Sequence, residues 1–375
     1  MKFIQLIRGA LLCVSLIAFA SCDKTPRNTH GINVIEDAHL LAIYERDGYD
    51  EVFIVNQGGK EVAHYVLVDR CDSIPPELPE GAQIIKVPLA KAVVDSEVYA
   101  GVFKELGVEE AIAGVFDADF VSIPSLKERI GQGVVRDLGK TSNPNLEQYM
   151  SLQPEAALIS YFDGMDIRGL EKTDVPIIKM YDLQETEPLG RAEWIRFIGK
   201  LTDREERADS IYAAVKERYN GIRKQTAEKG NGAAERPSVL TELIYNGIWY
   251  VPGGRSYPAT MIRDAGGKYF KEQNEESVTL SLLPEQVLAE GWDSDFWIIR
   301  FYGDEAQLKA VLGSNPLYSD IHAYEIGNIY FSDTRESPIF TETAFHPDLM
   351  LEDYHVIFTG DTVTPLRYFK RFSSY

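Results

Sequence analysis

Short apolar runs separated by amphipathic stretches fill the first half of the chain. Alternating apolar and polar residues on either side of Asp47-Gly48 predict a β-hairpin, because Asp-Gly is a preferred two-residue turn. Apolar residues at helical spacing, one stretch of them ending at Gly107, predict amphipathic helices. The predicted strands cover residues 39–44, 51–56, 65–68, 83–87, 111–116, 134–138, 156–160 and 177–180, and the predicted helices cover 95–106, 123–130 and 146–152.

The pattern changes in the middle of the chain. From about residue 190 to 229 there is no proline, and apolar residues recur at helical spacing. This segment predicts either two helices broken near Thr202-Asp203 or one long kinked helix. The alternation of strands and helices then restarts, with predicted strands at 238–244, 296–300 and 328–331 and predicted helices at 259–265, 285–289, 306–313 and 347–358.

Strands that alternate with helices indicate a mainly parallel sheet. This alternation occurs once before the helical middle segment and once after it. The predicted fold is therefore α/β, with two α/β lobes that have mainly parallel central sheets and are joined by a long interlobe α-helix. We expect an N-terminal lobe at 35–187, an interlobe helical region at 188–230 and a C-terminal lobe at 231–375.

The first residues predict export. Lys2 and Arg8 precede an apolar stretch at 9–20, which has the length of a signal-peptide core and is too short to span a bilayer. It ends in Phe-Ala-Ser-Cys at 19–22, the pattern of a bacterial lipobox, so we expect a lipoprotein signal peptide at 1–21 and lipidation of Cys22. An ordinary signal peptide cleaved nearby is the alternative. Residues 22–34 are predicted to form a flexible tether.

Charge and cysteine content narrow the possible partners. A formal net charge of −20 disfavours nucleic-acid binding, because phosphate contacts need clustered Lys and Arg. It is compatible with a basic protein partner or a cationic ligand, although solubility alone would explain it. Cys71 is the one cysteine left after the predicted signal and lipidation site, so no intrachain disulfide is expected.

Motifs of catalysis are missing from the sequence. It contains no phosphate-binding glycine loop and no GxSxG nucleophile elbow, and its six histidines are scattered. We therefore expect neither an enzyme nor a resident cofactor or metal. A hydrolase that uses an acidic pair such as Asp117 and Asp119 in a cleft is one alternative, and a structural surface lipoprotein is another.

Two glutamates occupy matching places in the two predicted lobes. Glu147-Gln148 and Glu285-Gln286 each open a predicted helix that leads into a buried strand. A carboxylate in the first turn of a helix is stabilised by the helix dipole, by about 0.3–1 kcal/mol, which by itself would explain both residues. Equivalent glutamates should therefore sit on the two lobes.

The order and spacing of several short motifs resemble the solute-binding proteins of ABC importers for iron complexes and cobalamin, the class of periplasmic binding proteins with a helical backbone. The resemblance covers roughly residues 35–360. Its marks are Leu106-Gly107-Val108, Gly114-Val115, Gly133 to Gly139, Asn145-Leu146-Glu147, Leu152-Gln153-Pro154-Glu155, Arg236-Pro237-Ser238-Val239, Trp249 to Gly254, Asp264-Ala265-Gly266-Gly267 and His346-Pro347-Asp348-Leu349.

This resemblance implies a function and partners. The chain would capture an iron complex, a siderophore or haem, between the lobes and deliver it to an ABC permease dimer that works with a cytoplasmic ATPase; cobalamin is the alternative ligand. One glutamate per lobe, Glu147 and Glu285, would dock on the permease. The protein would face the periplasm, anchored to a bacterial membrane through Cys22.

Loops at the strand ends that face the cleft supply the candidate ligand contacts, because open α/β sheets bind ligands there. Flat aromatic rings suit a corrin, porphyrin or catecholate, and Arg255 and Arg300 suit an anionic metal chelate. Alternatively, Trp249 and Tyr250 belong to the core and Arg300 pairs with an acid such as Asp304. The candidates are Ser96, Tyr99, Asp117, Tyr161, Phe162, Tyr245, Trp249, Tyr250, Arg255, Tyr257, Arg300 and Tyr302.

Overall fold

The predicted hairpin begins a four-stranded sheet. Leu41–Arg46 and Tyr49–Val55 pair antiparallel around Gly48, whose φ of +83° suits glycine. Glu61–Asp69 joins antiparallel and Gln83–Val87 parallel to it. The structure, a computed structural model, describes residues 31–230 and 236–373. The predicted signal peptide, the lipidation site Cys22 and most of the tether lie outside these residues.

Next comes a sheet of five parallel strands, as the strand and helix alternation predicts. Its central strand, Ala92–Val94, has three residues and was missed by the hydrophobic pattern. Helices Glu97–Glu105, Pro124–Gly131 and Leu146–Leu152 connect the strands. The strand order is Ile177–Met180, Ala156–Ser160, Ala92–Val94, Ile112–Val115 and Arg136–Asp137.

The middle of the chain forms two helices rather than one, the first of the two predicted alternatives. Pro188–Thr202 is buried along nearly all of its 15 residues, and Glu205–Gly230 follows it. Asp203 separates them with a φ of +54°, a left-handed conformation that no α-helix can continue through. The interlobe α-helix of the predicted fold is therefore a helix pair.

The second half contains another five-stranded sheet. Four strands are parallel and the last, near the carboxyl end of the chain, is antiparallel. Helices Tyr257–Asp264, Pro284–Gly291, Glu305–Ser314 and Pro347–Thr359 belong to this half. The strand order is Lys268–Tyr269, Ser238–Thr241, Phe296–Phe301, Ile329–Asp333 and Lys370–Arg371.

A three-stranded antiparallel sheet stands beside it and was not predicted. It consists of Ile244–Tyr245, Ile248–Pro252 and Thr279–Leu282. Gly253 and Gly254 follow its central strand, and a Cβ on either would overlap backbone carbonyl oxygens of the segment 271–276. These two glycines therefore allow two backbone segments to approach closely.

Short elements complete the described chain. They are the helices Arg168–Glu171, His322–Glu325 and Ile339–Glu342, the strand pair Gly139–Lys140 and Asn143–Pro144, and the 3₁₀ turns Glu109–Ala111, Ala118–Phe120, Asp182–Gln184 and Pro316–Asp320. None of the helices within 31–230 and 236–373 is long and apolar enough to cross a membrane.

One apolar core connects the two halves. In the first parallel sheet Val94 and Leu158 face this core, whereas Val93 and Ala157 face a smaller cluster on the opposite side. The same core continues through the helix pair to Val239 of the second parallel sheet. Both parallel sheets are thus covered on two faces, and Ile32–Tyr375 forms one compact unit.

Candidate functional site

A cleft of about 880 Å³ lies between the three-stranded sheet, the ends of the second parallel sheet and a short segment from the first half. Leu183 and Gln184 come from the first half, in the 3₁₀ turn Asp182–Gln184 shortly after the edge strand Ile177–Met180. Tyr245, Tyr250, Tyr257 and Tyr302 line it from the second half. The cleft therefore joins both halves at the carboxyl ends of parallel strands, where α/β folds bind ligands.

The tyrosines of the cleft are open to water to different degrees. Tyr302 is 79% exposed, Tyr245 68% and Tyr250 42%, whereas Tyr257 is largely covered. Tyr250 and Trp249 are neighbours on one strand, so their side chains point to opposite faces of the sheet. Exposed aromatic rings on one wall give the cleft flat apolar surfaces with hydroxyl groups at their edges.

A smaller chamber of about 270 Å³ continues from the cleft into the protein. Tyr257, Arg300 and Glu242 line both spaces. Val98 lines the chamber from the first half, Arg191 from the helix Pro188–Thr202 and Met350 from the last helix. The chamber extends the cleft between the two halves.

Arg300 and Glu242 form an ion pair at the junction of the two spaces. Arg300 Nε donates to Glu242 Oε1 at 2.6 Å. Burial opposes the charge of Arg300, but the nearby Glu242 outweighs it and raises the pKa of the guanidinium. Glu242 is thus the acid that pairs with Arg300; the predicted alternative, Asp304, instead caps the helix Glu305–Ser314.

Arg191 has a carboxylate partner as well. Its Nε donates to Asp182 Oδ2 at 3.1 Å, and its guanidinium carbon lies 4.7 Å from the ring centroid of Tyr257. Tyr99 donates its hydroxyl to the other oxygen of Asp182 at 2.8 Å, and burial raises the pKa of Tyr99 well above its usual range. Tyr99 is fully enclosed, so it supports Asp182 and lines neither space.

Asp95 is a partly buried residue that sequence reasoning missed. It follows the short strand Ala92–Val94, and its Oδ2 accepts the N–H of Ser160 at 2.8 Å. Its Oδ1 has no hydrogen-bond partner in the described part of the chain. Burial, with smaller contributions from Asp182 and Asp117, raises the pKa of Asp95 to about 7.

Three of the other candidates have structural roles. Ser96 caps the helix Glu97–Glu105 by accepting the N–H of Val98 at 3.2 Å. Asp117 accepts both the N–H and the hydroxyl of Thr141, at 3.1 and 3.0 Å. Trp249 is fully buried, packs on Trp297 and Tyr318 and does not line the cleft, so the structure places it in the core, as the predicted alternative has it.

The remaining candidates lie outside the cleft lining. Tyr161 packs on Tyr181 and beneath the ammonium group of Lys179, and Phe162 is half exposed. Arg255 is well exposed and pairs with Glu275. Of the predicted ligand residues, the structure thus brings Tyr245, Tyr250, Tyr257, Arg300 and Tyr302 together.

The two glutamates have closely similar surroundings. Glu147 is exposed in the first turn of the helix Leu146–Leu152, where Asn145 caps the helix by accepting the N–H of Gln148 at 3.1 Å. Glu285 is exposed in the first turn of Pro284–Gly291, where Gln286 accepts the N–H of Leu283 at 2.9 Å. Both carboxylates are therefore available to a partner.

A second groove of about 950 Å³ lies between the halves on the other side of the helix Ile339–Glu342. That helix packs on Glu97–Glu105 and so bridges the two halves. His346 and Glu105 meet across the groove, one from each half. Within residues 31–230 and 236–373 no three or more His, Cys, Asp or Glu side chains converge as metal ligands would.

Comparisons with known proteins agree on one family and fold. The sequence profile described as "Periplasmic binding protein" matches residues 93–336. An uncharacterized lipoprotein of Methanocaldococcus jannaschii is 26% identical over 353 residues, which cover 84% of this chain and 86% of the relative. The curated relative is thus matched over most of its length.

Two solved structures share the fold. A periplasmic binding protein from Veillonella parvula superposes with a TM-score of 0.60 at 16% identity, covering 86% of this chain and 99% of that one. A periplasmic haem-binding protein from Pseudomonas aeruginosa superposes with a TM-score of 0.58 at 16% identity, covering 76% and 98% of the two chains. At such identities the likeness establishes the fold.

Proposed function

This chain belongs to the periplasmic binding protein family, as its sequence motifs predict, and on that premise we propose that it is the solute-binding protein of an ABC importer for an iron complex. The complex, a ferric siderophore or haem, would bind in the cleft between the halves and pass to the membrane permease. The protein would act by binding and delivery, without catalysis.

One observation carries this proposal. Four tyrosines, Tyr245, Tyr250, Tyr257 and Tyr302, line a single cleft at the carboxyl ends of parallel strands. Flat aromatic faces stack on porphyrin rings and on the planar groups of chelators, and tyrosine hydroxyls can donate to their oxygens. The haem-binding protein of Pseudomonas aeruginosa, which shares the fold, supports an iron complex as the ligand class.

Delivery needs a docking surface, and we assign it to Glu147 and Glu285. Each carboxylate is exposed in the first turn of its helix and has no ion pair among the described residues. Exposed charges on two lobes steer association and fix orientation more than they add affinity. The permease surface that receives them would carry basic side chains.

Anchoring through lipidated Cys22 is part of the same proposal. The relative in Methanocaldococcus jannaschii is named a lipoprotein, which supports an extracytoplasmic, lipid-anchored protein. The chain would then hold its ligand beside the membrane that contains the permease.

A ligand titration tests the function. Residues 23–375 would be titrated with haem, a ferric tris-hydroxamate, a ferric tris-catecholate and cyanocobalamin, with tryptophan fluorescence and equilibrium dialysis as independent measurements. We expect saturable binding of an iron complex at about micromolar or tighter affinity. Binding of cyanocobalamin alone would assign the cleft to the corrinoid alternative, and binding of none of the four would contradict the proposal.

Variants in the cleft link binding to the site. Tyr250→Ala removes an exposed ring from the cleft wall and should weaken binding by about fivefold, since a lost stacking contact is worth ~1 kcal/mol. Tyr44→Ala is a matched control, because Tyr44 lies on the first sheet and not in the cleft lining. Equal losses in both variants would show that the cleft is not the binding site.

A further inference from the structure

The charged groups of the cleft are electrically balanced. Among the described residues that line it, the charged ones are Glu242 and Arg300, which pair with each other. The inner chamber adds Arg191, whose charge is compensated by Asp182 at 3.1 Å. The cleft therefore offers its ligand aromatic faces and hydroxyl groups, without uncompensated positive charge.

Glu242 has a backbone conformation that is costly for a residue with a side chain. Its φ is +64°, in the left-handed region, where the Cβ of a non-glycine residue crowds the backbone. Two contacts hold it there: its N–H donates to the carbonyl oxygen of Ile298 at 2.9 Å, and its own carbonyl oxygen accepts Nε1 of Trp297 at 2.8 Å. Glycine would adopt this backbone conformation more easily, so the presence of Glu242 here lowers the stability of the folded protein.

That carboxylate is aimed at the cleft. Glu242 comes directly after the strand Ser238–Thr241, and Arg300 lies near the end of the neighbouring strand Phe296–Phe301. The side chain of Arg300 is 28% exposed and that of Glu242 is 18% exposed, so both remain in contact with the space the ligand would fill. Without Glu242, Arg300 would give the cleft a net positive charge.

Iron complexes differ in net charge, and the pairing of Arg300 with Glu242 would therefore affect how tightly each of them binds. Three hydroxamates lose one proton each and leave their ferric complex neutral, and ferric haem with ionised propionates has a small net charge. Three catecholates lose two protons each, so their ferric complex is triply anionic. Moving such a charge out of water without a counter-charge is costly, and a protein with a net charge of −20 also repels it at long range.

We infer that Glu242 sets the charge selectivity of the cleft: by compensating Arg300 it favours iron complexes of small net charge and rejects triply anionic tris-catecholates. This inference rests on the proposed function. It gives Arg300 a role opposite to the one that the sequence indicates, since its charge is already compensated by Glu242.

Glu242→Gln tests the inference in the full-length chain. Glutamine keeps the length of the side chain and an acceptor for Arg300, but it removes one negative charge beside the ligand. The affinity ratio of ferric tris-catecholate to ferric tris-hydroxamate should rise by about tenfold or more, because the removed charge no longer repels three negative charges at close range. Glu275→Gln changes the net charge equally beside Arg255, outside the cleft lining, and should leave the ratio unchanged.

Salt dependence provides a measurement that does not depend on the variant folding. Raising the ionic strength about tenfold should leave tris-catecholate binding to the wild-type protein unchanged or strengthen it, because screening weakens repulsion. If salt weakens that binding, attraction by uncompensated arginines operates in the cleft and the inference is wrong.

The remaining outcomes separate the inference from the function on which it rests. Wild-type protein that binds ferric tris-catecholate as tightly as ferric tris-hydroxamate or haem would overturn the charge selectivity and leave the proposed function standing. An equal shift in the Glu242→Gln and Glu275→Gln proteins would also overturn it. Wild-type protein that binds none of the iron complexes would overturn both.

Discussion

His346 Nε2 lies 2.9 Å from Oε2 of Glu105, although 241 positions separate the two residues along the chain. Glu105 ends the helix Glu97–Glu105 in the first half, and His346 directly precedes the helix Pro347–Thr359 in the second. Burial opposes a charge on His346, but the hydrogen bond to Glu105 and its charge, with smaller help from Asp348, outweigh burial and raise the pKa of the imidazole.

This pair predicts that stability depends on pH in a specified direction. A histidine whose pKa is raised on folding contributes stability that is complete below its unfolded pKa of about 6.5 and is lost as the pH rises through the higher folded value. His346→Gln should therefore lower the free energy of unfolding more at pH ~6 than at pH ~9. Urea unfolding of both proteins across this range measures the difference. A difference that does not change with pH would show that His346 is neutral in the folded protein.

Two buried glutamates attach the beginning of the described chain to the helix Pro188–Thr202 and to the segment that precedes it. Glu193 is fully buried and accepts the backbone N–H groups of Glu36, Asp37 and Ala38 at 2.6–2.8 Å. Glu185 accepts the N–H of Leu40 at 2.9 Å. These carboxylates accept hydrogen bonds from backbone N–H groups that, in a β-sheet, would donate to the carbonyl oxygens of a neighbouring strand.

Glu193→Gln should therefore destabilise the fold. The amide offers one acceptor oxygen in place of two and places NH₂ against buried N–H donors, so we expect a loss of about 3 kcal/mol. Chemical denaturation measures it. Glu217→Gln, on the exposed face of Glu205–Gly230, is the matched control and should change stability by less than about 0.5 kcal/mol. Equal stabilities of the two variants would contradict this anchoring role.

Elements with strong local patterns could be predicted from the sequence, often to within a residue. Leu146–Leu152, Ala156–Ser160 and Ile177–Met180 have the predicted bounds, because periodicity and adjacent turn residues specify them locally. Ala92–Val94 is too short to show a period, and its place in the sheet comes from pairing with strands on both sides. Ile248–Pro252 was missed because its partner Thr279–Leu282 is distant in sequence.

The site could be predicted less completely, because its residues are brought together by tertiary contacts that leave no local sequence pattern. The sequence suggests Trp249 and Tyr250 together as ligand contacts, yet adjacent residues of a strand face opposite sides, so Trp249 enters the core and Tyr250 the cleft. If the strand Ile248–Pro252 is recognised, Trp249 and Tyr250 are expected on opposite faces of the sheet. Glu242 was missed because its link to Arg300 runs between parallel strands and has no local signature. The lobe boundaries predicted at residues 187 and 230 stay a prediction.

Trp249 should matter for stability rather than for direct ligand contact. Its ring packs on Trp297 and Tyr318, and its Nε1 donates to the carbonyl oxygen of Thr241 at 3.0 Å. Trp249→Ala should lower the free energy of unfolding by about 3–5 kcal/mol through the cavity that it leaves. Thermal and urea unfolding measure this loss. A variant that loses ligand affinity while keeping wild-type stability would return Trp249 to the ligand site.

The two exposed glutamates should matter for transport and not for binding. Glu147→Ala combined with Glu285→Ala should abolish ligand uptake by cells, since each carboxylate would contact a basic site on the permease, while the affinity of the purified protein stays unchanged. Uptake and ligand titration are measured in parallel. Glu128→Ala combined with Glu290→Ala, which removes one exposed carboxylate from each half outside these helix starts, is the control. Loss of affinity in the first double variant would contradict a docking role.

The continuous interior that runs from one parallel sheet to the other also affects how long a ligand stays bound. Separating the halves widely would expose apolar side chains such as Val94 and Val239 to water, so we expect the opening on release to be small. The time that a ligand stays bound then depends on how strongly the tyrosine rings of the cleft bind it. In such a protein a substitution at Tyr250 or Tyr302 would shorten the dwell time without changing the rate of capture, and small-angle scattering would show nearly the same envelope with and without ligand.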